Sequence, residues 1–298
     1  MTDIPTFFKA VKNPMRAVRY GRFEVEVAAR RINQYIHQRR GKPNSFDLME
    51  RDWDTAIILD ACRFDYFKQE NTFDGELTQE TAPGGASQEF IREMFLGREL
   101  HDTVCVSGNP FVSLLEPETF HDLIVDEAWD IGNRQAAPDQ VTEAAVRAHN
   151  KYPNKRIIVH YMQPHFPIHH PDYEFVNDGT RWRHGQFWPV SVSKGDVRDG
   201  YRANLRYVLS YVEDLVDEIN GKTIVTADHG ELLGERVRPI PLRTYNHHEG
   251  IYVSELLDVP WLELDSSDRR TIRSDPPKSG QEISEEDRNK RLEALGYI

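Results

Sequence analysis

Two short apolar runs, each ending in an aspartate, constrain the fold of this chain most. Residues 55–59 and 223–227 are rich in β-branched side chains, which is typical of buried strands. The first run ends at Asp60, and the second ends at Asp228-His229. In open α/β sheets, ligands bind beyond the carboxyl ends of the strands. The two runs therefore predict acidic side chains that converge at one edge of a sheet.

The residue types at these strand ends predict a metal site. Aspartate offers a hard, charged oxygen and histidine a borderline nitrogen. We expect Asp60, Asp228 and His229 to bind one divalent ion. Mixed oxygen and nitrogen ligands favour Zn or Mn, with Ca or Mg as the alternatives.

Strand and helix patterns alternate from about residue 50 onward, which predicts an α/β fold with a largely parallel sheet covered by helices. Residues 166–200, rich in aromatic residues, Gly, Pro and His, predict a long loop near the site. The predicted strands are 55–59, 103–107, 156–160, 223–227 and 259–262, and the predicted helices are 87–98, 139–151 and 201–220.

Residues 1–43 differ in charge from residues 44–298. The chain carries a net charge of −12, but this first segment holds ten basic residues and three acids, for a net charge of +7. We expect a basic, helical N-terminal arm and a catalytic domain of 44–298 with a net charge of −19. Two docking modes are open: packing on the acidic body, or contact with an anionic membrane or acidic partner. We favour packing, with weak, salt-sensitive membrane contact at most.

Composition narrows the class of partner and the compartment. The acidic balance argues against nucleic acid. Cys62 and Cys105 are the only cysteines, which indicates a reducing compartment. Neither a signal core nor a spanning stretch of ~20 apolar residues stands out. The sequence therefore predicts a cytoplasmic protein.

Ser87 is the candidate nucleophile. It follows a Gly-rich segment, 81–86, and opens a predicted helix. The simpler interpretation is that Ser87 caps this helix. The free N–H groups and dipole at a helix start also favour an anionic ester, and a metal would activate the hydroxyl. Beside two metal-binding strand ends, we favour the nucleophile.

Two histidine clusters follow further predicted strand ends. His160 and His165 come from residues 158–167, and His247 comes with His248 from residues 245–250. These side chains are candidates to bind a second metal or to contact the anionic ester, and both uses stay open.

Other polar residues near these motifs have simpler roles. We expect Cys62 to be a small core residue, since the sequence offers no base beside it. We leave two roles open for Arg63: binding an anion, or forming an ion pair with Asp65 or another acid. We expect Glu231 and Glu235 to support the ligands rather than to bind the ion directly.

The order of these motifs resembles the sulfatase-like branch of the alkaline phosphatase superfamily. The motifs are an Asp after the first strand, a nucleophile at a helix start, His-x-x-x-x-His-x-Pro, TADHGELLGE and a late Asn-His. The resemblance covers about residues 50–298 and implies an α/β fold. It also implies metal ligands Asp60, Ser87, Asp228 and His229, and it places His165 and His247, and with less support His160, near the ester.

The sequence departs from the sulfatase pattern at the nucleophile. Sulfatases carry Cys-x-Pro-x-Arg or its Ser version, whose first residue becomes formylglycine, and neither Ser87 nor Cys62 has that context. A serine sulfate lacks the release route of a formylglycine hydrate, whereas water can attack the phosphorus of a phosphoserine. We therefore favour phosphate over sulfate esters. The His160–His165 run also lacks the Asp of two-metal relatives, so one metal is predicted and a second is left open.

Together these observations predict a metal-dependent hydrolase or transferase of phosphoric or sulfuric esters. A small molecule or a glycan would carry the ester. The alternative is a catalytically silent relative that binds an anionic glycan or lipid headgroup.

Overall fold

The computed structural model describes residues 14–125, 136–183, 186–189, 191–264, 266, 268–278, 286 and 289–290. In chain order, the helices are α1 (Pro14–Arg40), α2 (Phe64–Glu70), α3 (Ser87–Phe95), α4 (Pro138–Lys151), α5 (Glu174–Asp178), α6 (Lys194–Glu218) and α7 (Ser254–Leu257). The strands are β1 (Thr55–Asp60), β2 (Gly75–Thr81), β3 (Leu100–Ser107), β4 (Phe120–Ile124), β5 (Arg156–Pro164), β6 (Thr180–Arg183), β7 (Gln186–Pro189), β8 (Thr223–Ala227), β9 (Leu232–Val237), β10 (Leu242–Asn246) and β11 (Asp258–Leu264).

A seven-stranded sheet in the order β2-β11-β8-β1-β5-β3-β4 forms the centre of the fold. Strands β8, β1, β5, β3 and β4 pair in parallel, while β11 runs antiparallel to both of its neighbours. Strand β1 lies in the middle, and its residues from Ala56 to Leu59 are fully buried. Successive side chains of a strand point to opposite faces, and four in a row are buried here, so both faces of the sheet are covered. The predicted α/β class and its largely parallel sheet are confirmed.

The predicted long loop over residues 166–200 is wrong. This region holds the short helix α5, the antiparallel pair β6–β7 and the start of α6. Helix α6 begins at Lys194 rather than near 201, because Ser193 and Asp196 form a capping box. The Ser193 hydroxyl accepts from the Asp196 N–H at 3.1 Å, and the Asp196 carboxylate accepts from the Ser193 N–H at 2.7 Å. The first turn of α6 is charged and lacks the apolar spacing that marks its later turns.

Helix α1, the described part of the predicted arm, packs on the hairpin β9–β10 and the loop that follows it. Asn33 donates to the carbonyls of Val237 and Ile240 at 3.2 and 3.0 Å, and Gln34 donates to the Glu249 carbonyl at 2.9 Å. Residues 1–13 lie outside the described residues, and the division into arm and domain at residue 43 stays a prediction. Among the described residues, no helix combines the length and apolar character that crossing a bilayer requires.

Candidate active site

The sheet brings three of the singled-out residues together at its carboxyl edge. Asp60 ends β1, Asp228 directly follows β8, and His160 lies in β5 on the other side of β1. All three side chains are buried. One ligand atom from each lies within 4.8 Å of the others, so the three side chains can hold one metal ion between them.

Asp60 is held in place by neutral donors. Its Oδ2 accepts hydrogen bonds from Asn109 Nδ2 at 2.7 Å and from Ser87 Oγ at 3.2 Å. Its Oδ1 has no hydrogen-bond partner among the described residues. Sequence reasoning missed Asn109. This residue lies two positions past the end of β3, and that position was the available signal.

Asp228 and His229 orient each other through the backbone. Asp228 Oδ1 accepts from the N–H groups of Ala61 and His229 at 3.0 and 2.8 Å. His229 Nδ1 lies 2.8 Å from the Gly230 carbonyl, so Nδ1 donates and Nε2 keeps its lone pair. Nε2 lies 3.4 Å from Asp228 Oδ2, an oxygen without a hydrogen-bond partner in the described part of the chain.

Ser87 is the first residue of α3, and its side chain does not cap that helix. Ala86 occupies the N-cap position and makes no side-chain cap. The buried Ser87 hydroxyl instead lies 3.2 Å from Asp60 Oδ2 and 3.1 Å from His229 Nε2. The simple capping interpretation is therefore wrong, and the hydroxyl points into the cluster of predicted ligands.

A second group of donors adjoins the first. Ligand atoms of His165, Glu231 and His247 lie within 4.8 Å of one another, and all three side chains are buried. His247 Nδ1 lies 3.4 Å from Glu231 Oε2, and the rings of His229 and His247 are 4.2 Å apart between centroids. The two predicted ester-contacting histidines thus lie side by side, next to the first group.

Burial controls the protonation of this site. Burial, with the nearby Asp228 and Glu231, raises the pKa of Asp60 well above its usual value. Burial also raises the pKa of Glu231 to about 8 and lowers the pKa of His229 and His247 to about 4. For Asp228, burial opposes ionisation, but His229 and His160 beside it hold its pKa below the usual value. His229 and His247 are therefore neutral near pH 7, as metal ligation requires.

The residues fit a divalent cation. Several buried atoms lack hydrogen-bond partners among the described residues, including Asp60 Oδ1, Asp228 Oδ2, His160 Nε2 and Glu231 Oε1. Buried carboxylate oxygens are costly unless a cation or donors compensate them. A mixture of carboxylate oxygens and imidazole nitrogens suits Zn or Mn.

Three neighbouring residues lie close to the two groups of candidate ligands. Glu231 was expected only to support the ligands, but its carboxylate belongs to the second donor group. Cys62 is a buried core residue as predicted, and burial raises the pKa of its thiol well above the usual value. Arg63 pairs with two acids, at 2.7 Å from Asp65 and 3.1 Å from Glu235.

Comparison with known proteins identifies the fold. No protein-family model and no curated protein matches this sequence. The structure is similar to the C-terminal periplasmic domain of EcEptC from Escherichia coli in complex with Zn, with a TM-score of 0.50 and 14% identity. The match covers 76% of this chain and 78% of that domain.

Two further solved structures are similar at lower TM-scores. One is the soluble domain of lipooligosaccharide phosphoethanolamine transferase A from Neisseria meningitidis, with a TM-score of 0.44, 12% identity, and 72% and 76% of the two chains covered. The other is a protein in the alkaline phosphatase superfamily from Vibrio parahaemolyticus, with a TM-score of 0.46, 14% identity, and 77% and 63% covered.

The chain has the fold of the EcEptC domain, in agreement with the α/β fold that its motifs implied. The periplasmic EcEptC domain shares this fold, and the cytoplasmic location predicted from the sequence stays a prediction.

Proposed function

We propose that this chain is a metal-dependent enzyme that transfers or hydrolyses phosphoric esters, with Ser87 as its nucleophile. The observation that carries the proposal is the position of the Ser87 hydroxyl. It is buried, does not cap α3, and lies within 3.2 Å of both Asp60 and His229. A role in capping the helix does not explain why this hydroxyl contacts a buried carboxylate and a buried imidazole, whereas a role as nucleophile does.

Asp60, Asp228 and His229 would hold the divalent ion, with Ser87 as a further ligand and His160 within reach of Asp228. When bound, the ion lowers the pKa of the hydroxyl and offsets negative charge on the ester. The zinc in the similar EcEptC domain supports a divalent ion here.

The residues of the chain position the reaction. Asn109 fixes the Asp60 carboxylate, and the Gly230 carbonyl fixes the tautomer of His229. The oxygen of Ser87 would attack phosphorus while its proton passes to solvent, and a bond would form between them. The bond to the leaving oxygen would break, and that oxygen would take a proton from solvent. Water or an acceptor hydroxyl then attacks the same phosphorus and releases Ser87. His165 and His247, neutral and adjacent, contact the non-bridging oxygens in this proposal.

Phosphate is favoured over sulfate because Ser87 is not in a formylglycine context. A phosphoserine can be released by attack at phosphorus, so an unmodified serine completes the reaction with phosphoric esters. The geometry of the hydroxyl is compatible with either ester, and the preference therefore rests on this chemical argument.

An ester panel tests the proposal. Full-length protein is stripped with a chelator and reloaded with Zn, Mn, Ca or Mg, and is then assayed with an aryl phosphate, an aryl phosphodiester and an aryl sulfate. We expect metal-dependent turnover with a phosphate ester preferred. Formylglycine at Ser87 or Cys62 in the intact mass, or a preference for aryl sulfate, would overturn the phosphate assignment. Another outcome is that the protein binds metal and yet turns over none of these esters, even when an acceptor alcohol is added to the phosphodiester. That result would favour the alternative of a catalytically inactive protein that binds an anionic ligand.

A further inference from the structure

One side of helix α1 is anchored to the body of the protein. Asn33 is buried and exchanges three hydrogen bonds with the backbone of Val237 and Ile240. His37 Nε2 lies 2.9 Å from the Arg238 carbonyl, and Gln34 donates to the carbonyl of Glu249. These contacts fix which side of the helix faces outward over residues 25–40.

The outward side is both apolar and basic. Val25, Ile32 and Tyr35 are 64%, 48% and 57% exposed, and Arg31 and Arg39 are exposed between and beside them. We call these five residues the outer face of α1. The guanidinium of Arg39 lies 5.2 Å from the centre of the Tyr35 ring. Large apolar side chains exposed together on one face of a helix mark an interaction surface.

Acids are excluded from this face. Glu26 is the only acid within residues 25–40, and it lies on the other side of the helix, where it lines a cavity with Arg236 and Arg243. The outer face therefore combines apolar side chains with two arginines that form no ion pair among the described residues. This combination is typical of helices that lie in the surface of an anionic bilayer, with the apolar side chains inserted and the arginines at the headgroups.

We propose that the outer face of α1 docks this protein on a membrane that contains anionic lipids. Packing on the body and contact with a membrane do not compete, because they use opposite sides of α1. Residues 44–298 carry a net charge of −19, so an anionic surface repels the rest of the molecule and selects this face.

Docking in this way would set the orientation of the candidate site. The inner side of α1 contacts His248 and Glu249, directly after His247. A docked helix would hold this loop about one helix diameter, ~10 Å, from the headgroups. The inference concerns location and does not depend on the reaction proposed for the site.

Vesicle co-sedimentation of the full-length chain tests the proposal. We expect binding to phosphatidylglycerol-containing vesicles at low salt, little binding to pure phosphatidylcholine, and weaker binding as salt rises. The variant R31Q/R39Q should bind about 30-fold more weakly, since each basic residue near an anionic surface contributes about five-fold. The control R147Q/K151Q removes the same charge from exposed positions on α4 and should bind like the unmodified chain.

The apolar contribution is tested with I32Q/Y35Q, which should lower the binding that persists at high salt. Circular dichroism and thermal melts verify that each variant folds, and R31A/R39A replaces any variant that does not. The proposal is overturned if the full chain fails to bind anionic vesicles at low salt. Equal binding by R31Q/R39Q and the control would also overturn it. So would self-association through this face, seen as a dimer that R31Q/R39Q dissociates without any lipid binding.

Discussion

The two ends of strand β1 each carry a fully buried aspartate, and the two carboxylates are compensated differently. Asp54, just before the strand, accepts from the Lys222 N–H at 2.8 Å and the Arg269 guanidinium at 2.9 Å. Asp60, at the far end, accepts from the neutral donors Asn109 and Ser87 alone among the described residues, and Asp228 lies nearby. The same residue type at the same burial thus forms an ion pair at one end, whereas at the other end it accepts only from neutral groups among the described residues.

Other residues follow the same division. At the amino end, Arg156 pairs with Asp102 at 2.7 Å, and Lys155 pairs with Asp275 at 2.8 Å. Residues 268–278 lie along this end and supply several of its partners. At the carboxyl end, Glu231 and Asp228 keep oxygens without hydrogen-bond partners among the described residues. The acids at the amino end thus form ion pairs within the chain. Within the described ranges, Asp228 and Glu231 at the carboxyl end do not pair with Lys or Arg in this way, as is common for carboxylates that bind a ligand.

The largest effect should come from the nucleophile at the carboxyl end. Ser87→Ala removes the attacking oxygen, so kcat with the preferred ester should fall by about a thousand-fold or more. Folding and metal content should be retained, because the side chain does not cap α3. The control Ser210→Ala alters an exposed serine on α6 and should leave kcat unchanged. Activity retained in Ser87→Ala would reject Ser87 as the nucleophile.

Removing each aspartate of the pair should have opposite consequences for the metal-free protein. Asp54→Asn should lower the free energy of unfolding by about 2 kcal/mol, because Arg269 and two backbone donors lose a charged acceptor. Asp60→Asn should leave stability unchanged or raise it, since the raised pKa of Asp60 shows that its charge is unfavourable there. Chemical denaturation in excess chelator measures both. Equal destabilisation by the two substitutions would remove the distinction between the ends.

The pH dependence of stability should also report the uncompensated end. Glu231 has a pKa of about 8 in the folded chain, against an ordinary value of 4.5. Between these values the folded chain holds a proton that the unfolded chain has released, so its stability is lost as pH rises toward 8. We choose pH 6.5 to 8 for denaturation in chelator, because the lowered histidine pKa values act only below that range.

In that window the metal-free protein should lose stability, by at most about 1.4 kcal/mol per pH unit for one group. Glu231→Gln should make the slope shallower. Stability that is flat or rises from pH 6.5 to 8 in the unmodified, metal-free chain would contradict the assignment.

The smallest effect should come from the contact between helix α1 and the loop that carries His247. Arg30 Nη1 lies 3.3 Å from His248 Nδ1, next to His247. Arg30→Ala should lower kcat/KM for an aryl ester about three- to ten-fold, because the loop carrying His247 loses one anchor. Arg31→Ala, one residue along on the exposed side, is the matched control and should not change kcat/KM. Equal effects of the two substitutions would show that Arg30 does not support the loop.

The sequence predicted most of the central sheet and the convergence of Asp60, Ser87, Asp228 and His229. Buried parallel strands are continuous apolar runs, and their carboxyl ends meet at one edge, so both features can be deduced from the pattern. Both edge strands, β2 and β4, were missed, and β2 is largely exposed and has few apolar residues.

The finer features of the site depend on tertiary placement. Glu231 follows the Asp-His pair like a supporting acid, and only the antiparallel hairpin β9–β10 turns it toward His247. Asn109 is one polar residue in a loop until β3 brings it to Asp60. The pairing of Asp54 with Arg269 links residues 215 positions apart, which no local pattern reveals.

Metal stoichiometry tests the contrast between the two ends most directly. The full-length chain, D60N/D228N and the control D52N/D102N are dialysed against zinc, and bound metal is measured by inductively coupled plasma mass spectrometry. Each double variant loses two carboxylates. D60N/D228N loses them at the carboxyl ends of the strands, and D52N/D102N loses two that form ion pairs near the amino ends. We predict about one ion or more per chain in the unmodified protein and the control, and loss of the ion held by Asp60 and Asp228 in D60N/D228N. Equal metal content in all three proteins would contradict the account.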